Sequence, residues 1–332
     1  MAVSIHKSLG HKGRQYYLKK FDQSSIENIL KEIDPKKEKY VLLGSGVAEK
    51  KLKIDLGNRV NIGNNQKTLS FLNKPKKLFK KLSKNGINIP NYRFNKPKVV
   101  NNWIKKNIKS SGGVLIKKVT EKSRCDNKKE YFQEFIKGKS ISVQFFVKNK
   151  NISFYTVCSQ WNTNSSEAPF KLGGIRTIKI KNNLQRVIFK VIKKVVSLIE
   201  LNGMNSIDFI IPKDKKDGPK LIDINARPGL SINLLSKIYK KNLFRENINF
   251  SDKINIFATN IIYSKNRLIM NKRITSNLKN LRYSQNFTEL PVQNDIIEKY
   301  HPVCLIHSES KTKKKYTNSM RLLSEKIFKL LN

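Results

Sequence analysis

Apolar residues recur at helical spacing through residues 183–201, where Val187, Ile188, Val191, Ile192, Val195, Val196 and Leu198 form one stripe. That spacing predicts a long amphipathic helix. Residues 24–33 and 318–331 predict two more, the last of them basic. The period then shortens to two. Asn205-Ser-Ile-Asp-Phe-Ile-Ile211 is an apolar run interrupted by Asp208 and closed by Pro212, and residues 221–229 read Leu-Ile-Asp-Ile-Asn-Ala-Arg-Pro-Gly. Asp217-Gly218-Pro219 between them carries turn chemistry, so the two runs predict a hairpin. Alternation along the second arm turns Asp223, Asn225 and Arg227 to one face. Tyr131–Ile136 and Lys39–Leu43 also read as strands, the latter running into Gly44-Ser45-Gly46. Residues 66–117 suggest helix, strand, glycine-rich loop and strand, and residues 129–161 three strands.

Composition changes the picture in two ways. A chain of 332 residues can bury two or three subdomain cores, and its formal net charge of +44 is spread along the whole length. Spread charge favours generic attraction to polyanions or capture of acidic substrates over a dedicated nucleic-acid domain. The abundance of Lys, Asn and Ile also fits a coding bias toward A and T. Cys125, Cys158 and Cys304 are too few and too far apart for a disulfide framework or a C-x-x-C metal site. A reducing cytoplasm is expected, and no apolar run approaches membrane-spanning length.

The hairpin carries the chemistry. A carboxylate and an amide oxygen on one face can share a hard cation such as Mg²⁺, with Asp208 across the hairpin as a third oxygen ligand and the Arg227 guanidinium free for a phosphate or a developing oxyanion. Five such residues alone are equally the polar side of an amphipathic strand. Lys74 precedes Pro75 in a first helical turn where Asn73 can cap, so it adds a point charge to a helix-end anion site; the plainer reading is a solvated surface lysine. Ser110-Ser111-Gly112-Gly113 can fold backbone N–H groups over phosphates as a mobile lid, or can be a simple hairpin turn.

Taken in order, these segments resemble the ATP-grasp superfamily across roughly residues 40–240. The resemblance rests on Asn73-Lys74-Pro75 opening a helix that closes at Lys84-Asn85-Gly86 before Ile87-Asn88-Ile89-Pro90. It continues through Trp103-Ile-Lys-Lys106 before the Ser-Ser-Gly-Gly loop, Gln133-Glu134-Phe135-Ile136-Lys137-Gly138 as an adenine hinge, and the terminal Asp-x-Asn-x-Arg. It implies an α+β architecture: the ATP-grasp fold behind a short N-terminal α/β domain. The expected organisation is 1–65 for that domain, truncated by an upstream β-α unit, then 66–128 and 129–245 for the two ATP-grasp subdomains, and 246–332 for a C-terminal extension packing on them.

The resemblance also implies a function, an ATP-dependent carboxylate–amine ligase acting through an acyl phosphate. Lys74 and Lys106 would hold phosphate oxygens, Ser110, Ser111, Gly112 and Gly113 would cover them, and Gln133, Glu134, Phe135 and Ile136 would bind the base. Asp208, Asp223 and Asn225 would ligate Mg²⁺, or Mn²⁺ as an alternative, and Arg227 would be catalytic. The sequence departs from the pattern with Asp223 in place of the usual glutamate, Gln133 in place of the hinge glutamate, Ser140 where many members have a ribose-binding carboxylate, and Asn107 where proline is common. Leu43-Gly44-Ser45-Gly46, Ile62-Gly63-Asn64-Asn65, Cys158-Ser-Gln160-Trp161, Leu172-Gly173-Gly174 and Tyr300-His-Pro-Val-Cys304 resemble more narrowly a carboligase branch of methylotroph one-carbon metabolism, pterin- and methanofuran-linked and related to tyramine–glutamate ligase. The partners implied are a small carboxylate and an amine, one of them acidic, such as glutamate. The competing class is a polyanion- or nucleic-acid-binding protein with a degenerate ATP-grasp site; the excess of lysine over arginine and the core placement of the aromatics argue against it.

Overall fold

The computed structural model describes residues 2–4, 15–44, 47, 52–108, 112–126, 128–163, 165–214, 217–239 and 255–331. Two antiparallel sheets organise them. The larger has eight strands in the spatial order Lys220–Asn225, Gly203–Pro212, Gly138–Lys148, Asn151–Asn162, Leu172–Thr177, Ile256–Tyr263, Pro302–Ser310 and Phe287–Thr288. The smaller runs Tyr92–Arg93, Glu130–Glu134, Trp103–Asn107 and Lys117–Lys118.

Alternation along the central strands separates core from cleft. In Gly138–Lys148 the side chains of Ile141, Val143 and Phe145 are fully buried, as are Ile207 and Phe209 on the neighbouring strand. Helix Asn182–Ile199 joins them in one core through Ile188, Ile192, Val195 and Val196, as its stripe predicts, and it stops at Glu200 in the left-handed conformation (φ 58°). Each fully buried side chain of this size contributes about 2 kcal/mol. The alternate residues Ser142, Gln144, Ser206 and Asp208 are thereby committed to the opposite face, where they line a cleft.

Several expectations are revised by register. Glu130–Glu134 pairs with Trp103–Asn107, so the smaller sheet takes in residues past 128. Strands within residues 255–331 join the large sheet. Ile256–Tyr263 hydrogen-bonds to Leu172–Thr177 and extends the large sheet, with its own core around Met270, Leu278 and Ile306 beneath the Lys313–Leu331 helix. That helix begins at Lys313, ahead of the expected residue 318, and its opening Lys313–Lys315 are exposed, with no apolar period to reveal them in the sequence. The strand expected over Lys39–Leu43 is only Tyr40–Val41, paired in parallel with Val60–Asn61. Asn73 does not cap the helix Pro75–Lys84. It ends the preceding helix Gln66–Leu72 with its backbone N–H, and Lys74 stands at the N-cap without a side-chain cap bond.

The N-terminal segment is tied to the large sheet by amides. Asn64 Nδ2 donates to Asn205 Oδ1 at 2.8 Å and to the Ala226 carbonyl at 3.0 Å, and Asn64 Oδ1 accepts from the Asn202 N–H at 2.9 Å. Asn205 is thus a structural residue facing away from the cation candidates. Gly203 makes this contact sterically feasible. Its φ is +66°, and a Cβ there would lie 2.3 Å from the Ile62 carbonyl oxygen. Gly203→Ala should therefore lower stability by about 2 kcal/mol or more, read as a fall in the denaturant midpoint. An unchanged midpoint would show that this junction does not hold the fold.

Candidate active site

The hairpin forms as expected, with Gly203–Pro212 against Lys220–Asn225 and Asp208 directly opposite Asp223. A bulge follows Asp208, and it lets Leu221 and Ile224 both point into the core while Asp223 stays exposed. Asp208 is half-buried. Its Oδ2 accepts from Asn225 Nδ2 at 3.2 Å and its Oδ1 from Gln160 Nε2 at 3.4 Å. Burial first, then the charge of Asp223, push its pKa up to about 6 against the opposing help of Ser142, Gln160 and Lys106. Two carboxylates facing each other with so little compensation have the electrostatics of a cation site. A half-turn of the Asn225 amide would present Oδ1 beside them, which fits an oxygen-seeking ion such as Mg²⁺. Among the described residues no group of three or more His, Cys, Asp and Glu comes together, so an ion here would draw on two carboxylates, an amide and its own water or substrate oxygens.

Lys106 arrives from the other sheet. Its ammonium donates to the Ile222 carbonyl at 3.3 Å and to Gln133 Oε1 at 3.4 Å, and lies 5.9 Å from the Tyr131 ring centroid. Burial opposes its charge, yet Tyr131, Asp223 and Asp208 together outweigh that and raise its pKa above the ordinary lysine value. It remains a cation throughout the physiological range.

A cavity of about 690 Å³ lies between the sheets. It brings together Lys106, Gly112, Gly113, Gln133, Glu134, Phe135, Ile136, Asp208, Asp223, Asn225 and Arg227, which come from both sheets and from the turn after the hairpin. Lys74 is not among the lining residues. It is exposed, with Asn73 and Pro75 on either side of it facing the cavity instead. Lys118 supplies a lining cation that the sequence did not reveal, opposite Ile104 in the register of the small sheet. Ser110 and Ser111 lie outside the described residues.

The hinge is more constrained than its motif suggests. Glu134 turns its carboxylate to the backbone and side chain of Asn91, at 3.1 and 2.9 Å. The N–H groups of Glu134 and Phe135 are bonded to the Asn91 and Asn102 carbonyls, which leaves the Ile136 N–H without a partner among the described residues. Any base bound here would be read by backbone and apolar surface more than by the Glu134 carboxylate. Gln160 and Ser142 were missed as site residues. Gln160 accepts from Ser140 Oγ at 2.8 Å while donating to Asp208, and its only sequence signal was the Cys158-Ser-Gln160-Trp161 segment.

The raised Asp208 pKa has a measurable cost. The unfolded carboxyl titrates near 3.8 and the folded one near about 6, so ionisation in between destabilises the fold, not at all below 3.8 and fully above about 6. Asp208→Asn should therefore raise the melting temperature of ligand-free protein at pH 8, by about 2 kcal/mol in stability, with the gain fading toward pH 4. The same gain at both pH values would rule out charge as its source.

Comparison with known proteins agrees with this geometry. Residues 73–231 match the family model described as an ATP-grasp domain. An uncharacterized protein of Methanocaldococcus jannaschii is 26% identical over 276 residues, covering 76% of this chain and 64% of the relative, so the chain spans less than two thirds of that relative's length. An L-amino acid ligase from Bacillus licheniformis superposes with a TM-score of 0.67 at 14% identity, covering 94% of this chain and 86% of that one. The biotin carboxylase domain of the Hydrogenobacter thermophilus 2-oxoglutarate carboxylase, solved with MgADP and bicarbonate, superposes with a TM-score of 0.64 at 10% identity, covering 93% and 79%. The chain has the ATP-grasp fold, and apart from Leu69 and Leu72 the residues that line the cleft between its two sheets fall inside the match.

Proposed function

We propose that this protein is an ATP- and Mg²⁺-dependent carboxylate–amine ligase. The observation that carries the reading is the meeting of Asp208, Asp223 and Asn225 from the large sheet with Lys106 from the small one across a single cavity. Phosphates need cations from both walls, and a metal needs hard oxygens beside them. The superposition on a ligase and on a domain holding MgADP supports it.

In this reading a substrate carboxylate oxygen attacks the γ-phosphorus of ATP and ADP leaves, which gives an acyl phosphate. The amine nitrogen then attacks the acyl carbon, phosphate departs, and the nitrogen gives up a proton to leave an amide. Lys106 and Arg227 neutralise phosphoryl oxygens, Gly112 and Gly113 approach them with backbone, and Arg227 faces the oxyanion of the second step. Asp208, Asp223 and Asn225 would hold the metal, which supplies charge neutralisation when bound. Phe135 and Ile136 would flank the base, with Gln133 fixing Lys106 from behind. No covalent enzyme nucleophile is needed.

For the substrates we propose an acidic small molecule such as glutamate on one side. Lys118 and Arg227 both line the cavity, and the net charge of +44 would steer anions toward it. The narrower motifs favour a role in one-carbon cofactor synthesis, and the composition a cytoplasmic one. A panel of amino acids and amines, assayed for substrate-dependent release of ADP and not AMP, tests the reaction class. AMP as product, or no nucleotide turnover with any pair, would sink it.

Two variants test the residues. Asp223→Ala should fold normally and lose at least about 10²-fold in turnover, comparable with removal of one preorganised electrostatic group. Mg²⁺-ATP should raise the melting temperature in a concentration-dependent way, since a ligand bound only by the folded state stabilises it by mass action. Arg227→Ala should cut turnover and leave the weak, salt-sensitive binding of nucleic acid unchanged. Tight, salt-resistant nucleic-acid binding with no thermal shift from Mg²⁺-ATP would favour the polyanion-binding alternative.

A further inference from the structure

Residues 165–172 touch three parts of the chain at once. Toward the glycine loop, the Leu172 N–H donates to the Gly112 carbonyl at 2.8 Å. Gly113, at φ +74°, comes so close to Phe170 that a Cβ on it would lie 2.0 Å from the Phe170 carbonyl oxygen. Toward the hinge, the Phe170 ring meets Phe135 edge to face with centroids 5.7 Å apart. Toward the C-terminal strands, the Lys171 ammonium lies 3.9 Å from the Tyr263 ring centroid and donates to the Tyr300 carbonyl at 3.1 Å. The Tyr263 hydroxyl donates to the Leu172 carbonyl at 2.7 Å.

Lys171 is only 4% exposed. A buried ammonium is costly unless it is well partnered, and here it faces the Tyr263 ring, the carbonyl and ring of Tyr300, and the charge of Glu167. No step of the proposed reaction uses it. The glycine loop, for its part, has little core of its own: Gly112 is exposed, and Val114 and Leu115 are 49% and 50% exposed. It is tied toward the large sheet through Phe170 and Leu172, the residues on either side of Lys171.

We infer that Lys171 and Tyr263 are positioning residues for the nucleotide loop: they fix the Phe170–Leu172 segment, and that segment holds Gly112 and Gly113 at the cleft. The C-terminal strands are thereby part of the nucleotide site without touching it. This rests on the reading of the cleft as an ATP site, and it sets a tether at the far end of the loop expected to act as a mobile lid.

The test uses the full chain with Tyr263→Phe, Lys171→Met and Lys171→Arg, and with Arg267→Ala as a control that breaks only an exposed pair with Glu298. Hydrogen exchange is followed by mass spectrometry in ligand-free protein, and Mg²⁺-ATP affinity by calorimetry. Tyr263→Phe and Lys171→Met should each speed exchange across residues 112–116 and at Leu172, with the strand 203–212 unchanged, and should weaken Mg²⁺-ATP binding about fivefold, the effect of one lost hydrogen bond. Lys171→Arg, which keeps a cation over the ring, should restore most of both, and Arg267→Ala should alter neither. Unchanged exchange in both variants, or faster exchange with unaltered affinity, would overturn the positioning role. If the unmutated protein itself takes up no Mg²⁺-ATP, the nucleotide reading fails and the role with it, while the exchange data still decide the tether.

Discussion

The cross-strand approach of Asp208 and Asp223 is the constraint on which the rest of the site depends. Like charges in register repel, and half-burial of Asp208 removes water that would otherwise screen them. The fold tolerates the pair because Gln160 and Asn225 donate to Asp208 and because Lys106 reaches over from the opposite sheet. Lys106 is in turn held cationic against its burial by Tyr131, Asp223 and Asp208. The two sheets are thus coupled through a charge imbalance that a divalent ion would relieve, a stability cost carried at the candidate site.

The same strands meet two demands at once. One face of Gly138–Lys148 and Gly203–Pro212 is a dry core against the long helix, and the other is a polar rank facing the cavity. Because the side-chain period is two, slipping the register by one residue would bury the carboxylates and expose Ile207 and Phe209, so core packing enforces site geometry. The bulge after Asp208 is a local exception to the period, and it is what leaves Asp223 out toward the cleft while Leu221 stays in the core.

Loops and far strands complete what the sheets begin. Asn64 ties the N-terminal segment to the carbonyl of Ala226, between Asn225 and Arg227. Phe170 and Leu172 brace the glycine loop and the hinge, and are themselves braced from the C-terminal strands. The cleft between the two sheets is therefore braced from three further stretches of chain.

The sequence by itself determined the elements whose residues carry a period or a turn signal. The helical stripe of 183–201, the hairpin around Asp217-Gly218-Pro219, and the placement of Asp223 and Asn225 beside Asp208 were all legible, because local spacing dictates which side chains share a face. Only the tertiary structure decided where isolated charges went. Lys74 and Lys118 are both lysines in a chain crowded with them, and nothing local distinguishes the one that faces solvent from the one that lines the cavity; strand register in the small sheet does. Gln160, Lys171 and Tyr263 were silent for the same reason, since their roles arise from pairings between strands and loops far apart in sequence, which no local period encodes.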